Sequence, residues 1–315
     1  MQLVQATGLT KTFSGVRAVD DVSLTVARGE VVGFLGPNGA GKSTTMKMLT
    51  GFLTPDAGTA SIAGEDVFRR PLQARARLGY LPEGAPAYGD MSVGDFLVFI
   101  GRMRGLTGAR LDERLAEMVE RVNLEGVWNR SIDALSKGFK RRVGIAQALI
   151  HDPDVLILDE PTDGLDPNQK HDMRELIRSI AAGKAIVVST HILEEVEATC
   201  SRVVIIAEGR VVADDTPAAL LAKASGPSTL RVSVASGAAA VVGPRLKTLR
   251  PDAAIEELEP LDGAVRFLLR FGEDAADPAA LARDLAAAGI AVEEIGLYRP
   301  SLESVFRAVT GTRPH

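Results

Sequence analysis

Gly36-Pro37-Asn38-Gly39-Ala40-Gly41-Lys42-Ser43 stands between a continuous apolar run, Val31–Leu35, and a helical pattern through Met46, Met48 and Leu49 that stops at Gly51. The spacing matches G-x-x-x-x-G-K-[S/T], a loop that cradles phosphates. An apolar run of this length ending in glycine suits a strand buried on both faces. The glycines let the backbone curl until its N–H groups converge, and a helix start adds partial positive charge. In such a cradle Lys42 would reach the β- and γ-phosphates and Ser43 would hold Mg²⁺. Both flanking elements stand where this reading requires them, which separates the segment from a chance glycine-rich turn.

Val155-Leu156-Ile157-Leu158-Asp159-Glu160 is a second buried-strand candidate, with two carboxylates emerging at its C-terminal end. Ligands of open α/β sheets bind at that edge. Asp159 suits a Mg²⁺ sphere, directly or through water. Glu160 suits a general base that orients and polarises an attacking water. Taken alone, the pair would read as solvated acids closing a strand. Leu135-Ser136-Lys137-Gly138-Phe139 lies directly before a third feature, a helix that Ser136 can cap, with Phe139, Val143, Ala146 and Ile150 on one face.

The chain has 315 residues, enough for about two domains. Hydrophobic residues make up 46% and charged residues 24%, which excludes a disordered or fibrous chain. A formal net charge of −5 and no basic run longer than Lys140-Arg141-Arg142 argue against gripping a phosphate backbone. Aromatic content of 4% argues against stacking on strings of exposed bases. One cysteine, Cys200, excludes an internal disulfide and a cysteine-rich metal site and fits a reducing compartment. The strongest apolar runs, Val155–Leu158 and Val203–Ala207, are strand-length, whereas a membrane span needs about 20 such residues. Met1-Gln2-Leu3-Val4 shows no charged start before an apolar stretch, so no secretory signal is expected.

Along the chain, Leu3–Thr7, Val22–Val26 and Val31–Leu35 read as strands. Residues 84–150 read as a helical insert, with Ser92 capping Val93–Met103 and a second helix over Leu111–Val122. Val155–Leu158, a helix near His171–Ala182, Ala185–Ser189, Val203–Ala207 and Val211–Val212 restore strand–helix alternation, which predicts a mainly parallel sheet. Ser225-Gly226-Pro227-Ser228 reads as a linker. Beyond it, Thr229–Val234, a helix to about Leu249, Ile255–Leu258, Val265–Phe271, a helix near Pro278–Ala288, Ala291–Leu297 and a last helix after Ser301 give the order β-α-β-β-α-β, expected for a ferredoxin-like sandwich.

The three motifs in this order closely resemble the ATP-binding cassette (ABC) ATPases, over roughly residues 3–222. Further positions match that family. Phe13, in Lys11-Thr12-Phe13, stands where the family places an aromatic that stacks on adenine. Tyr80-Leu81-Pro82-Glu83 occupies the Q-loop, Gly164-Leu165-Asp166-Pro167 looks like the D-loop, and Ser189-Thr190-His191 looks like the switch region.

The resemblance implies an α/β P-loop NTPase with a RecA-like core, an N-terminal antiparallel β part and a helical insert. It places an ATPase domain at 1–224, with a helical subdomain at about 84–150, and an accessory α+β domain at 229–315. It implies ATP and Mg²⁺ as cofactors. Phe13, Gly36, Pro37, Asn38, Gly39, Ala40, Gly41, Lys42, Ser43 and Thr44 would bind the nucleotide, and Ser43, Asp159 and Glu83 would face the metal. Glu160 and His191 would be catalytic, with His191 contacting the γ-phosphate. Leu135, Ser136, Lys137, Gly138 and Phe139 would form the signature that closes on the nucleotide of a second subunit, which Asp166 also touches. The working unit would be a head-to-tail homodimer, or a heterodimer with a similar ATPase.

Two departures from the family pattern stand out. Glu83 replaces a glutamine and adds negative charge beside the phosphates. Lys137 and Phe139 stand where many members carry glycine and glutamine, and Lys137 either offsets the Glu83 charge or faces solvent. Together with the tail Tyr298-Arg299-Pro300-Ser301-Leu302-Glu303-Ser304-Val305-Phe306, these forms resemble the stand-alone ATPase subunits of ABC-2-type exporters, which serve drug, lipid, polysaccharide and gliding-motility-associated systems.

That subgroup implies an integral membrane permease in a separate chain, with this chain peripheral on the cytoplasmic face of the inner membrane and no nucleic acid partner. The permease would dock between Glu83 and the helical insert, where Met91, Phe96 and Phe99 either line a groove or belong to the core. The competing readings are an ABC-type ATPase acting on nucleic acid or ribosomes, and an unrelated P-loop enzyme such as a kinase. A single cassette without a heptad arm or basic tail argues against the former. The signature segment together with His191 argues against the latter.

Overall fold

In the computed structural model, residues 1–225, 229–261, 263–271, 277–298 and 301–311 are described. Gln2–Phe13 (β1) and Val16–Ala27 (β2) form a long antiparallel pair joined by a tight turn at Ser14-Gly15. Both strands run well beyond the short segments expected from alternation. The pairing shifts register between Ala6 and Leu9, so the buried positions fall out of phase there and the pattern reads as ending at Thr7. Val31–Leu35 (β3) is buried at every residue and leads through the glycine-rich loop into Lys42–Leu49 (α1). Ala57–Ile62 (β4) pairs with β1, and Glu65–Asp66 (β5) pairs with β4. The first sheet therefore runs β2-β1-β4-β5. Small residues fill β4, Ala-Gly-Thr-Ala-Ser-Ile, which offers no apolar run to read.

A second sheet carries the chemistry. After Pro71–Ala76 (α2) come Leu78–Leu81 (β6) and three helices, Val93–Met103 (α3), Gly108–Arg121 (α4) and Lys137–Leu149 (α5). Val155–Asp159 (β7), Pro167–Ala181 (α6), Ala185–Thr190 (β8), Leu193–Thr199 (α7), Arg202–Ala207 (β9) and Arg210–Asp215 (β10) follow. The order is β10-β9-β3-β8-β7-β6, parallel except for β10 at the edge. The helix α1 lies in the core that the two sheets share. Its Met46, Met48 and Leu49 are fully buried among Val4, Val22, Phe34, Ile62 and Val187. Each such side chain contributes about 1.5–3 kcal/mol through removal from water. Because the strands are parallel, β3, β6, β7 and β8 all deliver their C-terminal ends to one edge.

Two predicted helix starts carry the expected caps. Ser92 accepts the Asp95 N–H at 3.0 Å, and Ser136 accepts the Phe139 N–H at 3.4 Å. The strand β6 went unread in the sequence because it is four residues long and contains Gly79. A Cβ at Gly79 would stand 2.2 Å from the Ala148 carbonyl oxygen, so glycine is what lets α5 press its backbone onto the sheet.

The chain divides into two compact units, Met1–Pro217 with the segment from Phe306, and Ala218–Val305. The second unit begins in Pro217–Ser225 (α8). It continues as Thr229–Ala235 (β11), Ala239–Leu249 (α9), Ala254–Leu261 (β12), Ala264–Arg270 (β13), Pro278–Ala287 (α10) and Glu294–Leu297 (β14), and ends within Leu302–Thr310 (α11), whose residues from Phe306 belong to the first unit. Its antiparallel sheet runs β12-β13-β11-β14, the arrangement expected for a split β-α-β sandwich. Leu230, Val232, Val234, Phe267 and Leu269 meet Val242, Leu246, Leu281 and Leu285 of its helices. The predicted linker residues 226–228, together with Arg299 and Pro300 of the tail motif, lie outside the described residues.

His151, just past α5, donates its Nε2–H to the Leu78 carbonyl at 3.0 Å, while its Nδ1 is buried without a partner. Burial, helped by the Arg104 and Arg114 charges nearby, pushes its pKa from 6.5 to about 4. The unfolded chain therefore takes up a proton that the native state refuses. Stability present above pH 6.5 should fall by about 3 kcal/mol as the pH drops toward 4. Urea unfolding of the wild type and H151Q across that range checks this, because H151Q should lack this part of the slope.

Candidate functional site

The phosphate loop is shaped by close backbone approaches. A Cβ at Gly36 would stand 2.4 Å from the Ile206 carbonyl oxygen, and Gly41, at φ +104°, would bring one to 2.5 Å from that of Ala18. Gly41 is also the N-cap of α1 and supplies no side-chain acceptor, so the N–H groups of the first turn stay available to an anion. Lys42 is buried, and its Nζ donates to the carbonyls of Gly36 at 2.7 Å and Pro37 at 3.2 Å. Burial lowers the lysine pKa, against the opposing pull of Glu160, Asp159 and Glu83. A cavity of about 190 Å³ opens above the loop, lined by Ala18, Asn38, Gly39, Gly41, Lys42, Ser43, Thr44, Glu83 and Glu160.

Asp159 ends β7 fully inside the protein and accepts the Ser189 hydroxyl from β8. Glu160 leaves the strand at φ +49°, a left-handed backbone uncommon for a non-glycine residue and often found at functional sites. That turn, fixed by its N–H on the Ser189 carbonyl at 3.0 Å, aims the carboxylate back toward the loop. Its Oε1 lies 4.0 Å from Lys42 Nζ, and both its oxygens contact His191 Nδ1, at 3.0 and 3.1 Å. Burial raises the Glu160 pKa, while the hydrogen bond from His191 and the Lys42 charge hold it down.

The Ser43 hydroxyl and the Asp159 and Glu83 carboxylates are hard oxygen donors. The described residues contain no group of three or more His, Cys, Asp or Glu side chains able to hold a metal by themselves. That donor set fits Mg²⁺, which favours one or two carboxylates with substrate phosphate oxygens over an all-protein cage.

The remaining predicted residues divide. Glu83, two residues past β6, joins the cavity wall. Phe13, at the end of β1, is 46% exposed with Lys11 Nζ 5.8 Å from its ring, and is absent from the cavity lining. Leu135 is buried under the start of α5. A Cβ at Gly138 would stand 2.8 Å from the Gln169 side chain, and one at Gly164 would stand 3.2 Å from Lys137 Nζ. Asp166 caps α6 by accepting the Gln169 N–H at 2.9 Å. The signature and D-loop segments are thus neighbours within one chain. Among the described residues, no hydrogen bond or ion pair joins Leu135–Phe139 to the phosphate loop.

Reading the sequence missed Arg141. It is 6% exposed on α5, its Nη1 has no partner, and Asp163, Glu83, Glu160 and Asp159 all act on its charge. It had been legible only as the middle of a short basic run. Lys137 lies instead beside Gly164.

A family model described as "ABC transporter" matches residues 19–163. The Nod factor export ATP-binding protein I of Burkholderia lata is 39% identical over 305 residues, covering 96% of this chain and 94% of that protein. The daunorubicin resistance ATP-binding protein DrrA2 of Streptomyces coeruleorubidus is 36% identical over 311 residues, covering 98% and 95%. A solved structure described as an ATP-binding subunit of an ABC transporter superposes with a TM-score of 0.65 at 33% identity, over 70% of this chain and 92% of that one. The two relatives match through the second unit as well as the first, and at that coverage the chain belongs to the ATP-binding proteins of ABC transporters.

Proposed function

We propose that this chain is the ATP-hydrolysing subunit of an ABC-2-type exporter and works as a two-chain unit on a separate membrane permease. The observation that carries the reading is Glu160, held between Lys42 and His191 at the edge where β3, β7 and β8 end. Lys42 exchanges the Gly36 and Pro37 carbonyls for the β- and γ-phosphates. The first-turn N–H groups of α1 take the remaining phosphate charge, and Gly36–Thr44 wrap it. Ser43 and Asp159, with Glu83 nearby, would hold Mg²⁺, which would supply positive charge to the phosphates. Glu160 accepts the proton of the attacking water, and His191 fixes the orientation of that carboxylate and reaches the γ-phosphate. Phe13 offers an exposed ring to the adenine.

The start of α5, with Ser136 and Gly138, points its N–H groups at the nucleotide of the second subunit, and Asp166 meets that subunit too. Residues 1–224 form the ATPase domain and 229–315 an accessory domain. Export is supported by the relatives named for Nod factor export and daunorubicin resistance. No helix among the described residues is long and apolar enough to cross a membrane, so the route across it belongs to the permease. That arrangement puts this chain on the cytoplasmic face.

A cavity of about 460 Å³ between α3 and the sheet suits a short permease helix. Leu78, Tyr80 and Ile100 line it, and Phe52 and Met103 stand exposed at 74% and 71%. Phe96 is core, whereas Phe99 is exposed and packs edge-on against Tyr88.

Arg141, buried on α5, feels the charges of Asp163, Glu83, Glu160 and Asp159 together. R141Q should lower turnover more in the wild type than in E83Q, whereas K137G and E83Q should act additively; a double-mutant cycle on kcat reads both. E160Q should bind MgATP yet hydrolyse it about 10²–10⁴-fold more slowly, and should elute as an MgATP-dependent dimer on gel filtration. A monomeric E160Q with wild-type turnover would overturn the proposed function. M103E should abolish co-purification with the permease while basal ATPase activity stays within about twofold.

A further inference from the structure

One buried carboxylate has no part in the site described above. Glu195 on α7 is 5% exposed. Its Oε2 accepts the hydroxyl of Thr162, itself 2% exposed, and its Oε1 lies 3.6 Å from Lys170 Nζ. Thr162 is the second residue past Glu160. Lys170 lies in the first turn of α6, its N–H on the Asp166 carbonyl at 2.9 Å. Between them lies Gly164–Pro167, the segment that resembles the D-loop. One carboxylate therefore grips both ends of that loop.

The two grips differ in kind. The Thr162 end is a direct hydrogen bond. At the Lys170 end Oε1 makes no hydrogen bond and is held by a longer charge contact. The loop entry is thus tied to Glu195 more tightly than its exit, which the cap of α6 by Asp166 holds. The helix α7 that carries Glu195 starts two residues after His191, whose Nδ1 contacts Glu160 at 3.0 Å. The exits of β7 and β8 are therefore cross-linked twice, by Glu160–His191 and by Thr162–Glu195. On the outer side, Gln169, next to Lys170, abuts Gly138 of the signature segment.

We infer that Glu195 is a positioning residue that locks the D-loop to the Glu160–His191 pair, so that engagement of residues 164–167 by the second subunit sets the orientation of Glu160. An unpaired carboxylate is costly to bury. An apolar residue could fill the same space, but it would cross-link neither end of the loop. The inference rests on the two-chain reading above.

The test is steady-state ATPase activity against ATP concentration for the full chain and for T162V, E195Q and E195Q/K170Q, with fluorescent-nucleotide binding and thermal unfolding measured alongside. T162V and E195Q should lower kcat about tenfold and bring the Hill coefficient to one, with nucleotide affinity within about twofold of wild type. E195Q/K170Q, which restores a neutral pair, should recover about threefold or more of the E195Q loss. Folded T162V and E195Q with wild-type kcat and cooperativity overturn the inference. So does a parallel fall of Tm, affinity and kcat without recovery in the double variant, which marks a merely structural contact. If E195Q does not fold, T162V reads the same link from its other end. A wild type that hydrolyses ATP without cooperativity sinks the two-chain reading and this inference with it. A cooperative wild type with unaffected variants sinks this inference alone.

Discussion

Lys42 and Glu160 stand 4.0 Å apart with both side chains largely out of water. Desolvation works against each charge, lowering the lysine pKa and raising that of the glutamate. Each ion is tolerable because the other is there, together with the Gly36 and Pro37 carbonyls on one side and His191 on the other. Breaking such a buried pair from one side leaves a charge that costs about 3–5 kcal/mol. The sheet makes this pairing possible, because β3 and β7 are parallel strands on either side of β8 and end together. An arriving phosphate adds an anion that Lys42 can meet without first being stripped of water, which is the electrostatic logic of a preorganised site.

The helix α5 links the parts of this site along one axis. Its first turn carries Ser136 and Gly138, Arg141 sits beneath the acids, and Ala148 presses on Gly79 of the strand that leads to Glu83. The signature end and the strand leading to Glu83 are therefore joined by one continuous helix. Arg141 is buried where Asp163, Glu83, Glu160 and Asp159 all act on its charge.

The second unit is built on other terms. Its antiparallel sheet and two covering helices bury an aliphatic core around Phe267, without the concentration of buried charge found near β7. Its strands run in the order β12-β13-β11-β14. The Nod factor export and daunorubicin resistance proteins, matched over 94% and 95% of their length, align through this unit as well.

Local pattern alone announced the phosphate loop, the Asp159-Glu160 strand end, both serine caps and the second unit. Each is a signal contained within about a dozen residues: a glycine spacing, an apolar run, a period of two or 3.6. Residues 57–62 and 78–81 escaped because small residues and a glycine pack backbone against backbone and leave no hydrophobic trace. The bulge in β1 hid half of a strand in the same way. The partners of the charged groups were beyond any local reading. His191 meets Glu160 across 31 residues, Glu195 meets Thr162 across 33, and the acids acting on Arg141 come from two segments, the exits of β6 and β7. Only the stacking of parallel strands brings those groups to one edge, since a side chain's burial and neighbours depend on crossovers that its own segment does not encode.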